Sequence, residues 1–272
     1  MISLAAGTVL DAPPPAVLTA AAQAGYDAAG LRIDPASTTV TEAAALRRQA
    51  ADLGLTLLDL EVVRLRPDRP FDDHLRLLEL AHVLGARFLL TVSEHRSHPD
   101  TVADLARLAA AAHGADTRIA LEFMRFTEVR TLSAALSTVD EAGADDAVVL
   151  VDALHLHRGG EGPEALVGVD RIGYLQICDA PADAPDDLAD EARHRRLVPG
   201  AGELPLGYLL AHAPDGLPLS VEVQSDDLAA RYPPAGTTER AGDVLRRRLI
   251  NADQHRFARG RMGCHTDLDS HR

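Results

Sequence analysis

The sequence predicts an α/β fold, a single closed (β/α)8 barrel of the TIM type, on three observations. Eight short apolar runs alternate with longer stretches of helical period, and the runs begin about every 30 residues, close to the length of one βα unit. Eight such units in about 250 residues fit a closed parallel barrel. An open doubly wound sheet is the alternative, but the Gly-rich dinucleotide turn expected after its first strand is missing from this chain.

The expected strands are Ile2 to Thr8, Ala28 to Ile33, Thr56 to Val63, Phe88 to Val92, Ile119 to Met124, Ala147 to Val151, Ile172 to Cys178 and Leu219 to Val223. Each precedes a segment of helical period: Pro15 to Ala24, Thr41 to Leu53, Phe71 to Leu84, Thr101 to His113, Arg130 to Ala142, Pro163 to Val167, Gly207 to His212 and Thr238 to Ala252. The barrel is expected over residues 1–258. The remainder, 259–272, has no apolar period and reads as a C-terminal tail. The segment between the last two strands is the longest and most polar of the connections, as befits a loop that covers a site.

Composition narrows the chemistry. Of 272 residues 46% are hydrophobic, but only 3% are aromatic and none is Trp, so the core is expected to be aliphatic. Twenty-seven basic residues against 41 acidic ones give a net charge of -14, which repels nucleic acid and anionic membrane surfaces. Every basic residue in the Lys+Arg count is Arg, and lysine is absent. Schiff-base, pyridoxal-phosphate, P-loop and lysine-base chemistries are therefore excluded. Two distant cysteines, Cys178 and Cys264, form no CxxC and argue against a disulfide framework or zinc ribbon. No basic leader precedes MISLAAGTVL and no apolar run reaches membrane-spanning length, so a soluble cytoplasmic protein is expected. A homo-oligomer is compatible with the sequence, which contains no readable interface.

In such a barrel, function sits at the C-terminal strand ends. RIALEFM presents Glu122, VVLVDALH presents Asp152 with His155 one turn later, IGYLQIC presents Gln176, and LSVEVQS presents Glu222. A carboxylate inside an apolar run must be paired or it titrates away, and four polar residues in phase on neighbouring strands suit one shared cation. Three carboxylates and an amide oxygen favour Mn²⁺, Mg²⁺ or Co²⁺ over zinc, which remains compatible. Arg32, Arg64, Arg66, Arg193, Arg195 and Arg196 are candidate clamps for an anionic substrate, with Arg32, Arg64, Arg193 and Arg196 preferred, since guanidinium binds carboxylate or phosphate bidentately.

These motifs resemble the sugar phosphate isomerase/epimerase family of xylose-isomerase-like barrels. LEFM, VDALH, QICDA, RHRRLVPGAGELPL and VEV carry the resemblance, which spans nearly the whole chain. It implies a metal held by Glu122, Asp152, Gln176 and Glu222, and proton transfer by Glu122, Glu222 and His155. Many members have His where this chain has Gln176. Gln there, with Asp179 to Pro181, Arg193 to Arg196 and Pro199 to Gly202, is similar to 3-dehydroshikimate dehydratases. The expected partner is a small keto-polyol or keto acid, and the expected outcome is isomerisation, epimerisation or dehydration. A barrel without catalysis, serving as a binding subunit, and an abasic-site endonuclease-like hydrolase are the competing readings. The second needs more zinc ligands and a basic groove, neither of which the strand ends offer.

Overall fold

The computed structural model describes residues 1–241. Most of the last expected helix and the whole expected tail lie outside them; residues 234–241 are helical. Eight parallel strands close into a barrel in sequence order: β1 (Ile2–Leu4), β2 (Ala28–Arg32), β3 (Thr56–Leu65), β4 (Phe88–Ser93), β5 (Arg118–Glu122), β6 (Val148–Asp152), β7 (Ile172–Ile177) and β8 (Leu219–Val221). Around them run α1 (Pro14–Gln23), α2 (Val40–Asp52), α3 (Phe71–Leu84), α4 (His98–Ala112), α5 (Leu132–Glu141), α6 (Ala153–Gly159), α7 (Leu188–His194), α8 (Leu206–His212) and α9 (Asp226–Arg231).

Side chains alternate across each strand, and the two faces have separate cores. Leu89, Leu121, Val149, Val151 and Leu175 point outward into a core shared with Leu18, Leu46, Leu77 and Leu105 of the helices. Leu58, Phe88, Leu90, Ala120, Val148, Leu150 and Tyr174 fill the barrel, with Phe88 and Tyr174 stacked 5.0 Å apart. Each fully buried leucine contributes about 1.5–3 kcal/mol by leaving water. The inward phase continues to the strand ends, from Ala120 to Glu122, Leu150 to Asp152, and Tyr174 to Gln176, which places the site on top of an apolar plug.

Local signals set the helix starts. Thr39 and Glu42 form a reciprocal capping box on α2, and Thr131 caps α5. The first expected strand is shorter than its apolar run, because Ala6–Val9 turns into a 3-10 helix. Its Gly7 backbone lies against Glu222, where a methyl group would collide with the carboxylate. The barrel closes between β1 and β8, where Thr8 Oγ1 donates to the Val221 carbonyl (2.8 Å) and accepts from the Val223 N–H (3.0 Å).

A hydrogen-bonded polar pair stands inside the barrel. A register shift between β2 and β3 lets Asp59 face inward, where it accepts a 2.6 Å hydrogen bond from the Tyr174 hydroxyl. Burial, reinforced by the charge of Glu61, pushes Asp59 up to about 8, so it is largely protonated near neutrality. Its folded pKa lies above the unfolded value of about 3.9. Stability from this group is therefore complete below that value and is lost as pH rises to about 8. Asp59→Asn removes the loss: urea unfolding should show the variant and wild type alike near pH 4 and the variant more stable at pH 8, by on the order of a few kcal/mol. An equal difference at both pH values would mean that Asp59 does not carry the proton.

Candidate metal centre at the C-terminal strand ends

Five side chains from four strands and one loop meet above the plug. Glu122 ends β5, Asp152 ends β6, Gln176 is the penultimate residue of β7, and Glu222 follows β8 directly. All are at least nine-tenths buried. The fifth is Arg196, from the long segment between β7 and β8, and it is 2% exposed.

Asp152 has two tasks. Strand β6 runs into α6 without a loop, so Asp152 is the N-cap: its Oδ1 accepts from the His155 N–H at 3.0 Å. Its Oδ2 accepts from Arg196 Nη1 at 2.6 Å, and the same nitrogen lies 3.1 Å from Glu222 Oε2. Turned so that its nitrogen faces acceptors, the Gln176 amide sits 3.2 Å from both Glu122 Oε1 and Glu222 Oε2. Gln224 Nε2 donates to the other Glu222 oxygen at 3.1 Å. The helical turn from Asp152 brings His155 Nε2 to 3.8 Å from Glu122 Oε1 and 3.5 Å from Arg196 Nη2.

Three carboxylates beside one guanidinium cannot all stay ionised without a buried excess of negative charge, so they shift apart. Burial, with Glu222 and Asp152 alongside, pushes Glu122 well above the usual carboxylate range. Burial, with Glu61 and Asp152 nearby, outweighs Arg196 and brings Glu222 to about 7. Burial also works to raise Asp152, but Arg196 and His155 hold it below its ordinary value. Burial pushes His155 down to about 4, so the imidazole is neutral near pH 7 and able to accept a proton or bind a metal. A divalent cation matches the uncompensated charge and reverses the pressure on the carboxylates. Glu122, Asp152 and His155 already offer ligand atoms within 4.8 Å of one another. With Glu222, and with the Gln176 amide turned back so that its oxygen rather than its nitrogen faces the two glutamates, the donor set is mostly oxygen and fits such an ion.

The segment that delivers Arg196 is built around two acidic hubs. Asp179 accepts from the N–H groups of Ala180, Gly200 and Leu204, which folds the Pro199 to Gly202 turn back on itself. The Gly202 backbone packs so close to Ala180 that a side chain would strike its carbonyl. Glu191 of α7 pairs in the interior with Arg158, which also donates to the carbonyls of Pro181 and Ala182. Cys178 lies beneath Arg196, where burial raises its thiol pKa and keeps it unreactive.

The candidate clamps separate on inspection. Arg32 and Arg64 line the cleft but are each paired at 2.7 Å, with Glu61 and Glu94. Arg196 is committed to the carboxylate floor. Arg193 is exposed at the mouth, 5.6 Å above the Phe126 ring, and has no carboxylate partner among the described residues. Glu61, Phe126 and Gln224 also line this cleft of about 660 Å³ and were not picked out from the sequence. Glu61 satisfies the rule that flagged Glu122, a carboxylate in an apolar run, and could have been found by it.

The family profile described as xylose isomerase-like TIM barrel matches residues 18–248. The chain belongs to this family. Among solved structures, it is 26% identical to a xylose isomerase-like TIM barrel/4-hydroxyphenylpyruvate dioxygenase fusion protein (TM-score 0.73), covering 88% of this chain and 40% of the other. The chain thus spans about two fifths of that fusion protein. The IOLI protein with a bound zinc atom shares the fold at 19% identity and TM-score 0.75, with 92% and 97% covered. An L-ribulose 3-epimerase does so at 17% and 0.73, with 98% and 99% covered. No curated protein sequence matches. Among the described residues, no helix of this family member is long and apolar enough to cross a membrane.

Proposed function

We propose that this protein is a divalent-metal-dependent enzyme that removes a proton next to the carbonyl of a small polyhydroxylated ketone. The observation that carries the reading is the buried ring of Glu122, Asp152, Gln176 and Glu222 with its unbalanced charge. Those four residues would hold the ion, with Mn²⁺, Mg²⁺ or Co²⁺ suiting the oxygen donors and zinc suiting the His155 corner. When bound, the ion supplies Lewis acidity that makes the neighbouring C–H acidic. Glu122, at the end of β5, and Glu222, just after β8, are the groups this reading assigns as base and acid on opposite faces of the substrate. His155, neutral beside Glu122, can exchange a proton with a substrate oxygen. Arg196 fixes the orientations of Asp152 and Glu222.

Proton return to the same carbon from the other face gives an epimer, and return to the neighbouring carbon gives an isomer. The folds shared with the IOLI protein and the epimerase are compatible with these outcomes. Loss of a β-hydroxyl gives dehydration, which Gln176 and the Asp179 to Gly202 loop favour through their similarity to 3-dehydroshikimate dehydratases. Proton NMR in D₂O, with metal-depleted and Mg²⁺-loaded protein, separates these outcomes over 3-dehydroshikimate, ketohexoses and inososes. Metal-dependent deuterium uptake beside the carbonyl indicates isomerisation or epimerisation, and an unsaturated or aromatic product indicates dehydration. No exchange in any of them would overturn the proposal for these substrates and favour a non-catalytic binding subunit.

Exchanging the amide for the commoner ligand provides a milder check. Gln176→His should retain Mn²⁺ binding within about tenfold, since imidazole suits the same ions. Complete loss of Mn²⁺ binding by calorimetry would show that Gln176 serves another purpose, such as bridging the two glutamates.

A further inference from the structure

The cleft changes sign between floor and mouth. Its floor is formed by the buried Glu61, Glu122 and Glu222, with Arg196 and His155. Its mouth carries Arg96 from the β4–α4 loop, Arg130 from the β5–α5 loop and Arg193 from α7, all three exposed. None has a carboxylate partner among the described residues, in a chain with 41 acidic side chains available. Arg130 donates from Nε to the Thr127 carbonyl at 3.0 Å, which steadies its stem and leaves its terminal nitrogens free to bind. Arg193 rests over the face of Phe126, whose ring meets His155 edge-on at 5.7 Å. A single aromatic ring therefore separates the outer guanidinium from the imidazole of the floor. Glu128 shares this part of the wall and is also without an ion pair among the described residues, so three free cations face one free carboxylate.

From this arrangement, and resting on the ketone chemistry of the floor, we infer that the substrate carries an anionic group, a carboxylate or phosphate, held by Arg96, Arg130 and Arg193. A protein with a net charge of -14 repels anions at long range, and a local guanidinium collar offsets that repulsion where it matters. A neutral sugar has no need of one: its hydroxyls bind equally well to paired or uncharged groups, whereas guanidinium forks match planar or tetrahedral oxyanions. Phe126 extends the grip by giving Arg193 a flat surface on which to lie. An anion at the mouth leaves the other end of a short polyol chain or ring among the carboxylates below.

Calorimetry on the full chain loaded with Mg²⁺ tests this with two matched pairs, fructose against fructose 6-phosphate and methyl shikimate against shikimate. At least one anion should bind ten times more tightly than its neutral partner. The combined Arg96→Gln, Arg130→Gln and Arg193→Gln variant should lose at least tenfold of that preference, with affinity for the neutral partner and for Mn²⁺ unchanged. The pair showing the larger preference identifies phosphate or carboxylate. Equal binding within both pairs, no binding by either anion, or a preference that survives in the variant would overturn the inference. A Mn²⁺ titration keeps the two readings apart. Wild type that binds no Mn²⁺ but shows the collar-dependent preference defeats the metal site alone, and wild type that binds Mn²⁺ without the preference defeats the collar alone.

Discussion

Arg196→Met should lower the stability of the metal-free protein by about 3–5 kcal/mol, the usual cost of stripping one partner from a buried ion pair. For a chain of this size the melting temperature falls by on the order of 10 °C. Methionine keeps most of the side-chain volume, so the effect reports charge: Asp152 loses its 2.6 Å partner and Glu222 its 3.1 Å partner. Two further readouts exclude a simple packing defect. Without the guanidinium both carboxylates favour their neutral forms, so the defect should be smaller at pH 5 than at pH 8. A divalent ion supplies the missing positive charge, so Mn²⁺ should raise the melting temperature of the variant by more than that of wild type. A variant that melts with wild type in EDTA, or that gains no more from Mn²⁺, would show that Arg196 does not balance the site.

Glu222→Gln should abolish measurable turnover, with kcat reduced by about 10²–10⁴ for loss of the acid-base group alone. Mn²⁺ affinity should fall by at least about tenfold, since the loss of even an outer hydrogen-bonding partner commonly costs that much. The fold should survive, because Gln occupies the same volume and burial already drives Glu222 up to about 7. Circular dichroism and melting temperature close to those of wild type would locate the defect in the site. Full activity or unchanged Mn²⁺ affinity in a folded variant would remove Glu222 from the proposed shell.

The barrel was legible because its strands are buried on both faces and read as apolar runs at even spacing. Glu122, Asp152, Gln176 and Glu222 stood out because each interrupts such a run near its end. Asp59 and Glu61 interrupt the third run by the same rule but lie within it, and β3 extends two residues beyond its expected end. Helix α6 was hidden because Asp152 is at once the last strand residue and the helix cap, leaving no loop to mark the change. Arg196 was visible as a cation near the site. Its pairing with Asp152, 44 positions away, depends on how Asp179 and Glu191 fold the intervening segment, and neither helical nor strand period encodes that. Arg32 and Arg64 read as free clamps because the acidic partners that neutralise them, Glu61 on β3 and Glu94 just past β4, come from the neighbouring unit of the barrel.

The seam between β1 and β8 sets a schedule for synthesis. Residues 1–218 contain seven strands, three of the four proposed ligands and Arg196, but they leave two unpaired sheet edges and no Glu222. Those edges stay unpaired until β8 joins β1 and Val221 and Val223 meet Thr8, 213 and 215 positions away in the chain. Glu122, Asp152 and Gln176 therefore precede in the chain the strand that completes their ring, and a chain cut before β8 is expected to leave an aggregation-prone open sheet.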